Sequence, residues 1–275
     1  MKQRLLHTPE GVRDIYNEEC ERKLTLQRHL QETLRSYGYR DIETPTFEYF
    51  DVFGREVGTV PSTDLYKFFD REGNTLVLRP DITPSIARAA SKYYPEEALP
   101  VRLCYMGNTF INNSSYQGRL KETTQIGAEF IGDSRVSADG EIVALAIDTL
   151  LSAGLTEFQI SLGHADFFQS LCEEAGLDEE TESKLRNLIS NKNHFGVEEL
   201  LAGQKLSTSL KELFIRLPQL FGGEAVLTEA SGMTDNPKAL AAVSRLHKIS
   251  RILKLYGFEK YVSFDLGMLS RYMYY

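Results

Sequence analysis

Cysteine is scarce in this chain of 275 residues: Cys20, Cys104 and Cys172 are odd in number and far apart. That spacing rules out a CxxC metal or redox motif and fits a reducing compartment. Long apolar runs are missing as well; none approaches the ~20 residues of a membrane-spanning helix. The opening MKQRLLHTPEGVRD carries charges where a signal peptide needs an apolar run. A soluble, cytoplasmic protein with no membrane association is therefore expected. Positive charge is in deficit, with a formal net charge of −8, so the field of the whole chain does not favour a nucleic-acid backbone. A local basic patch is not excluded by that sum. Repeats and low-complexity tracts are absent. The histidines, His7, His29, His164, His194 and His247, have no metal-ligand spacing with cysteine or one another. No metal and no cofactor is expected.

What remains is material for a substantial core, since 42% of the residues are hydrophobic. Leu24, Leu26, Leu30 and Leu34 make a broadly helical stripe over about 18–36, stopped by Gly38. The segment RDIETPTFEYF is extended and broken at Pro45, which suits an edge or a bend. LYKFFD and TLVLRP flank REGN as the arms of a β-hairpin. Thr83 is expected to cap a helix that has Pro84 in its first position. Two long extended runs, PVRLCYMGNTFI and ETTQIGAEFIG, follow around a polar loop, and then a helix over about 137–153 and a short strand, EFQISLG.

From Asp166 to about Phe221 short amphipathic helices with acidic linkers replace strands. A long helix over about 237–256 and a strand, YVSFDLGMLS, come last. The expected fold class is α+β: an antiparallel sheet flanked by helices, interrupted by a helical insert. The expected domains are 1–165 (first part of the core), 166–223 (insert) and 224–275 (return to the core). LSRYMYY has no turn, cap or polar tail, so further C-terminal strands are expected to belong to the sheet beyond this sequence.

Several polar residues stand out. Asp81 and Thr83 can accept hydrogen bonds from an ammonium group leaving water, or can serve only as a helix cap. Gln125 and Glu129 lie four apart on one strand and face the same way, into a pocket or toward solvent. Tyr274 and Tyr275 offer aromatic walls with polar tips, or are a plain strand end.

The segments TPEGVRDI, IETPTFE, LRPD, the FINN region and QIGAE, in this order, resemble the core of histidyl-tRNA synthetases, which are class II aminoacyl-tRNA synthetases. The resemblance covers nearly the whole chain. It implies that IETPTFE shapes a dimer interface, making a homodimeric core the expectation. It implies that Asp81 and Thr83 hold the α-amino group of histidine and that Gln125, Glu129, Tyr274 and Tyr275 line its pocket. Arg119 and Lys121 match basic positions of the family's flexible loop and are candidate anion contacts. The ATP side departs from the pattern. Ile111 and Ser270 stand where the family has its two catalytic arginines, Asn113 where it has an adenine-binding glutamate, and Met273 where it has an aspartate. Without such cations, charge building on an α-phosphate goes unmet.

An amino-acid pocket without an ATP site is similar to the regulatory subunits of short-form ATP phosphoribosyltransferases, which are synthetase paralogues. That resemblance implies no catalytic residue and no enzymatic activity of its own. It also implies a hetero-oligomer with the catalytic subunit in histidine biosynthesis, histidine as feedback effector, and no tRNA partner. The alternatives are a fragment of a working histidyl-tRNA synthetase and a paralogue binding another amino acid.

Overall fold

The computed structural model describes residues 6–53, 60–113 and 118–269. They divide into two compact units.

The described residues of the first unit lie within Met1–Asp133 and Asp148–Gly154. Helix α1 (Asn17–Ser36) has Glu18 and Glu19 in its first turn, where carboxylates favour the positive end of the helix dipole. It ends beside Gly38, whose φ of +85° glycine adopts without the Cβ penalty. Strand β1 (Arg40–Asp41) and β2 (Phe47–Tyr49) come from the extended segment broken at Pro45. A single turn, α2 (Phe50–Phe53), precedes the expected hairpin, β3 (Lys67–Phe69) and β4 (Thr75–Leu78). Its turn is closed by the Asp70 carboxylate, which accepts from the backbone N–H of Asn74 at 2.8 Å. Helix α3 (Thr83–Tyr93) and the long strands β5 (Val101–Phe110) and β6 (Glu122–Ile131) complete the unit's main elements.

Two small sheets result, in the orders β1-β5-β6 and β2-β4-β3. The pairs β5–β6, β2–β4 and β3–β4 are antiparallel, while β1 joins β5 in parallel. Ile82, Ile86, Leu103 and Tyr105 form a buried cluster beneath the first sheet; Phe53, Leu65 and Val77 form one beside the second.

The second unit holds its described residues within Ser134–Ile147 and Leu155–Arg271. Helix α4 (Val136–Ser152) has residues in both units. Strand β7 (Ile160–Leu162) is followed by α5 (Ala165–Ala175), α6 (Glu179–Ser190), α7 (His194–Ala202) and α8 (Thr208–Arg216). A two-residue strand, β8 (Phe221–Gly222), and a short helix, α9 (Ala225–Ser231), lead to α10 (Pro237–Tyr256) and β9 (Val262–Asp265). The side chain of Asn236 caps α10 by accepting from the N–H groups of Lys238 and Ala239, with Pro237 in the first turn and Gly257 at the end. Packing of α10 on α5 and an edge-to-face pair of Phe168 and Phe214, 6.1 Å apart, mark the core.

The short amphipathic helices expected from Asp166 to about Phe221 are present. Strand β9 pairs in parallel with β7 and antiparallel with β8. The strands before and after the helices thus share one sheet, and the compact units divide at Asp133, ahead of the composition change at Asp166.

Candidate functional site

The register of β5 with β6 decides which residues can meet. Leu103 is opposite Glu129, Tyr105 opposite Gly127, Gly107 opposite Gln125, and Thr109 opposite Thr123. Side chains alternate across a strand, so these residues share one face. The loop from Arg79 to Ile82, entering α3, lies over that face.

Arg79 pins the loop. It is 7% exposed, and its guanidinium donates to the carbonyl oxygens of Asn108 at 2.9 Å, Thr44 at 2.8 Å and Pro45 at 3.3 Å. Burial depresses its pKa, opposed by the charges of Glu43 and Glu48. Gly107 leaves room for it: a Cβ there would run into the guanidinium, 3.1 Å from Cζ.

All four described residues of the expected amino-acid site come together here. Asp81 Oδ1 accepts from Gln125 Nε2 at 3.1 Å and from the Thr83 N–H at 3.3 Å. Gln125 Oε1 accepts from the Ile82 N–H at 3.2 Å. Thr83 Oγ1 donates to Glu129 Oε1 at 2.8 Å and lies 3.2 Å from the Tyr105 hydroxyl. Burial, chiefly, and the charge of Asp81 push the Glu129 carboxyl above its ordinary range, against the hydrogen bonds from Thr83 and Tyr105.

The expectation that Thr83 caps α3 is corrected. Ile82 takes the N-cap position in a helical conformation, with no capping side chain, and Thr83 is the first helical residue. Its hydroxyl is directed to Glu129 instead, because the loop held by Arg79 brings α3 over β6. The capping alternative survives only in part, through Asp81 and the Thr83 N–H.

A cavity of about 390 Å³ opens beside this group, walled by Ala87, Ala90, Tyr94 and Leu99, with Thr83 and Glu129 at its polar end. The size falls within the range of small-ligand pockets, roughly 300–1,000 Å³. Asp81 and Gln125 lie outside its lining.

The other expected residues separate from this group. The N–H of Ile111 bonds the Lys121 carbonyl at 2.9 Å, extending the β5–β6 ladder by one step. Alternation then puts Ile111 on the face of Tyr105 and Gly107. Asn113 keeps a buried Oδ1 without a hydrogen-bond partner among the described residues. Arg119 is exposed. The aliphatic stem of Lys121 packs on Gly11, whose carbonyl accepts the Lys121 N–H at 2.7 Å. Ser270, Met273, Tyr274 and Tyr275 lie outside the described residues.

Sequence reasoning missed Arg79, Tyr105, Gly107 and Gly127. The glycine of QIGAE is the visible trace, but reading it requires the register across β5–β6.

This hairpin, with a motif-bearing loop laid over one face, is the arrangement of a class II synthetase core. The family model described as histidyl-tRNA synthetase matches residues 11–275. The ATP phosphoribosyltransferase regulatory subunit of Acetivibrio thermocellus is 42% identical over 98% of this chain and 65% of its own. That of Ruminiclostridium cellulolyticum is 43% identical over 96% of this chain and 63% of its own. The chain thus spans somewhat less than two thirds of these relatives. A crystal structure from Bacillus halodurans, of an ATP phosphoribosyltransferase regulatory subunit/histidyl-tRNA synthetase, superposes with a TM-score of 0.89 at 35% identity, covering 98% of this chain and 70% of that one. The chain belongs to the histidyl-tRNA synthetase family, in its branch of ATP phosphoribosyltransferase regulatory subunits.

Proposed function

We propose that this chain is the regulatory subunit of ATP phosphoribosyltransferase. In this reading it has no catalytic activity of its own, and it acts in the first step of histidine biosynthesis, in the cytoplasm. It joins the catalytic subunit in a hetero-oligomer, is required for that subunit's activity, and makes it sensitive to histidine. The observation that carries the reading is the pairing of an assembled amino-acid end with an aliphatic Ile111 on the same face. Asp81, Thr83, Gln125 and Glu129 supply acceptors for an ammonium group and an N–H-bearing side chain. Ile111 can supply nothing to a phosphate. Tyr274 and Tyr275 complete the pocket in this reading; Arg119 and Lys121 are left as possible anion contacts.

Feedback follows from linkage: histidine shifts activity if it binds two states of the complex with different affinity. A homodimeric core is supported by exposed aromatic residues on the β2-β4-β3 sheet. Phe47 and Tyr49 are more than half exposed, and Phe47 meets Phe68 edge to face at 5.7 Å.

Two measurements test the proposal. Isothermal titration should show binding of histidine in preference to other amino acids, and co-purification should recover the catalytic subunit. Preference for a different amino acid would move the chain to another synthetase-like paralogue; failure to associate would remove the regulatory role.

A further inference from the structure

We infer that the outer stripe of α10, with the aromatic ladder at its C-terminal end, is the surface through which this chain meets the catalytic subunit. The identity of that partner rests on the hetero-oligomer proposed above; its matching surface carries carboxylates around an apolar recess.

Helix α10 is unlike the rest of the chain in charge. It contains five lysines or arginines and no aspartate or glutamate, whereas the whole chain has 39 acidic and 31 basic residues. Carboxylates from other segments match three of its cations: Glu173 with Lys238 at 2.7 Å, Asp139 with Arg245 at 2.6 Å and Glu224 with Lys254 at 2.5 Å. Lys248 and Arg251 have no such partner among the described residues. They lie three apart, and Leu255 follows four further on, so the three side chains share one outer face. All are exposed, Leu255 by 88%. A helix face turned only to water ordinarily mixes the signs of its charges, with acid–base pairs four apart. This face has one sign and ends on an aliphatic side chain.

Rings stiffen that end. Tyr256, nearly half exposed, stacks on Phe258 with centroids 5.9 Å apart. Phe258 meets Tyr261 edge to face at 6.3 Å, and the buried Tyr261 stacks on Phe158 at 4.8 Å. A tyrosine held before contact loses little side-chain freedom on binding. Tyrosine, arginine and apolar groups together are the composition of interface centres.

Charge decides the occupant. A two-fold axis through the patch would set Lys248 and Arg251 against their own copies, which disfavours a second copy of this chain. Two free cations on a chain of net charge −8 fall short of the several phosphate contacts that hold a nucleic acid. A different protein, acidic around an apolar centre, meets both the cations and the leucine. The exposed Phe47 and Tyr49, assigned above to the homodimer, belong to the other unit, so the two partners do not compete for the same residues.

The test measures binding kinetics of the full chain with the ATP phosphoribosyltransferase catalytic subunit at low and high salt. The variants are Leu255→Asp and the double variant Lys248→Glu/Arg251→Glu. All three side chains are exposed, so the melting temperatures should match the parent's, and a loss of association then reads the surface and not the fold. We expect Leu255→Asp to weaken association by about tenfold or more, through faster dissociation. The double variant should associate more slowly, and its rate should lose the parent's salt dependence. Association unaltered in both variants overturns the inference and leaves the regulatory reading standing. A parent chain that does not associate removes both. Self-association of the parent that Leu255→Asp abolishes would give the patch to a second copy and overturn the inference as well.

Discussion

The phenol of Tyr105 occupies the space that a side chain at Gly127, its cross-strand partner, would need. A Cβ at 127 would stand 2.5 Å from Tyr105 Cζ. Gly127→Ala must displace a ring that is also part of the buried cluster with Ile82, Ile86 and Leu103. Overpacking of this kind costs about 1–3 kcal/mol. Urea unfolding should show that loss, and the same alanine should cost much less in a Tyr105→Ala background. Equal costs in the two backgrounds would mean that the ring moves away freely.

Glu129→Gln should stabilise the unliganded protein at neutral pH. Because burial and the Asp81 charge raise the folded-state pKa of Glu129, ionising the carboxyl costs more in the native chain than in the unfolded one. The associated stability is complete below the unfolded pKa and is lost as pH rises through the folded one. Glutamine avoids that loss while still offering a donor and an acceptor to Thr83 and Tyr105. Its melting temperature should exceed the parent's at pH 7, with the gap closing in acid. Histidine binding should fall in the same variant, a stability gained at a functional site at the expense of function.

The pair of Arg88 and Glu48 ties α3 to β2. Glu48 is 8% exposed and accepts from Arg88 Nη2 at 2.6 Å and Nε at 3.1 Å. Arg88→Ala leaves a buried carboxylate without its cation. Breaking a buried pair costs about 3–5 kcal/mol; Arg88 is itself about a third exposed, so about 2 kcal/mol is the expected loss. Glu48→Gln in the Arg88→Ala background should recover part of it, read by chemical denaturation.

The sequence carried the elements well where local chemistry decides them. Asn236–Pro237 and Gly257 bracket α10 with cap residues, and Asp70 with Gly73 closes the hairpin turn. The meeting of Asp81, Thr83, Gln125 and Glu129 was legible because Gln125 and Glu129 share strand parity and Asp81 and Thr83 flank the same helix start. Tyr105 and Arg79 were not legible. Their roles depend on a cross-strand register and on a guanidinium reaching carbonyls 29 to 35 residues away in sequence. The short α9 and the two-residue β8 were also missed, since neither is long enough to show a period.

Adenylation is the activity on which the non-catalytic reading turns. A pyrophosphate-exchange assay with histidine and ATP should give no signal from the parent chain; measurable exchange would overturn the non-catalytic reading. Ile111→Arg should also give none. Each fixed donor to a developing oxyanion is worth about 10²–10³ in rate. A single restored cation would still face Ser270 where the family has its second arginine, and Asn113 where it has the adenine-binding glutamate. The variant should fold, because Ile111 is only partly buried and follows β5, held to the ladder through its backbone N–H. Retained histidine binding in Ile111→Arg, with no exchange, would show that the amino-acid end works independently of the missing phosphate site. Loss of histidine binding would instead show that the aliphatic side chain at 111 belongs to the amino-acid pocket, and that its replacement for arginine serves ligand binding directly.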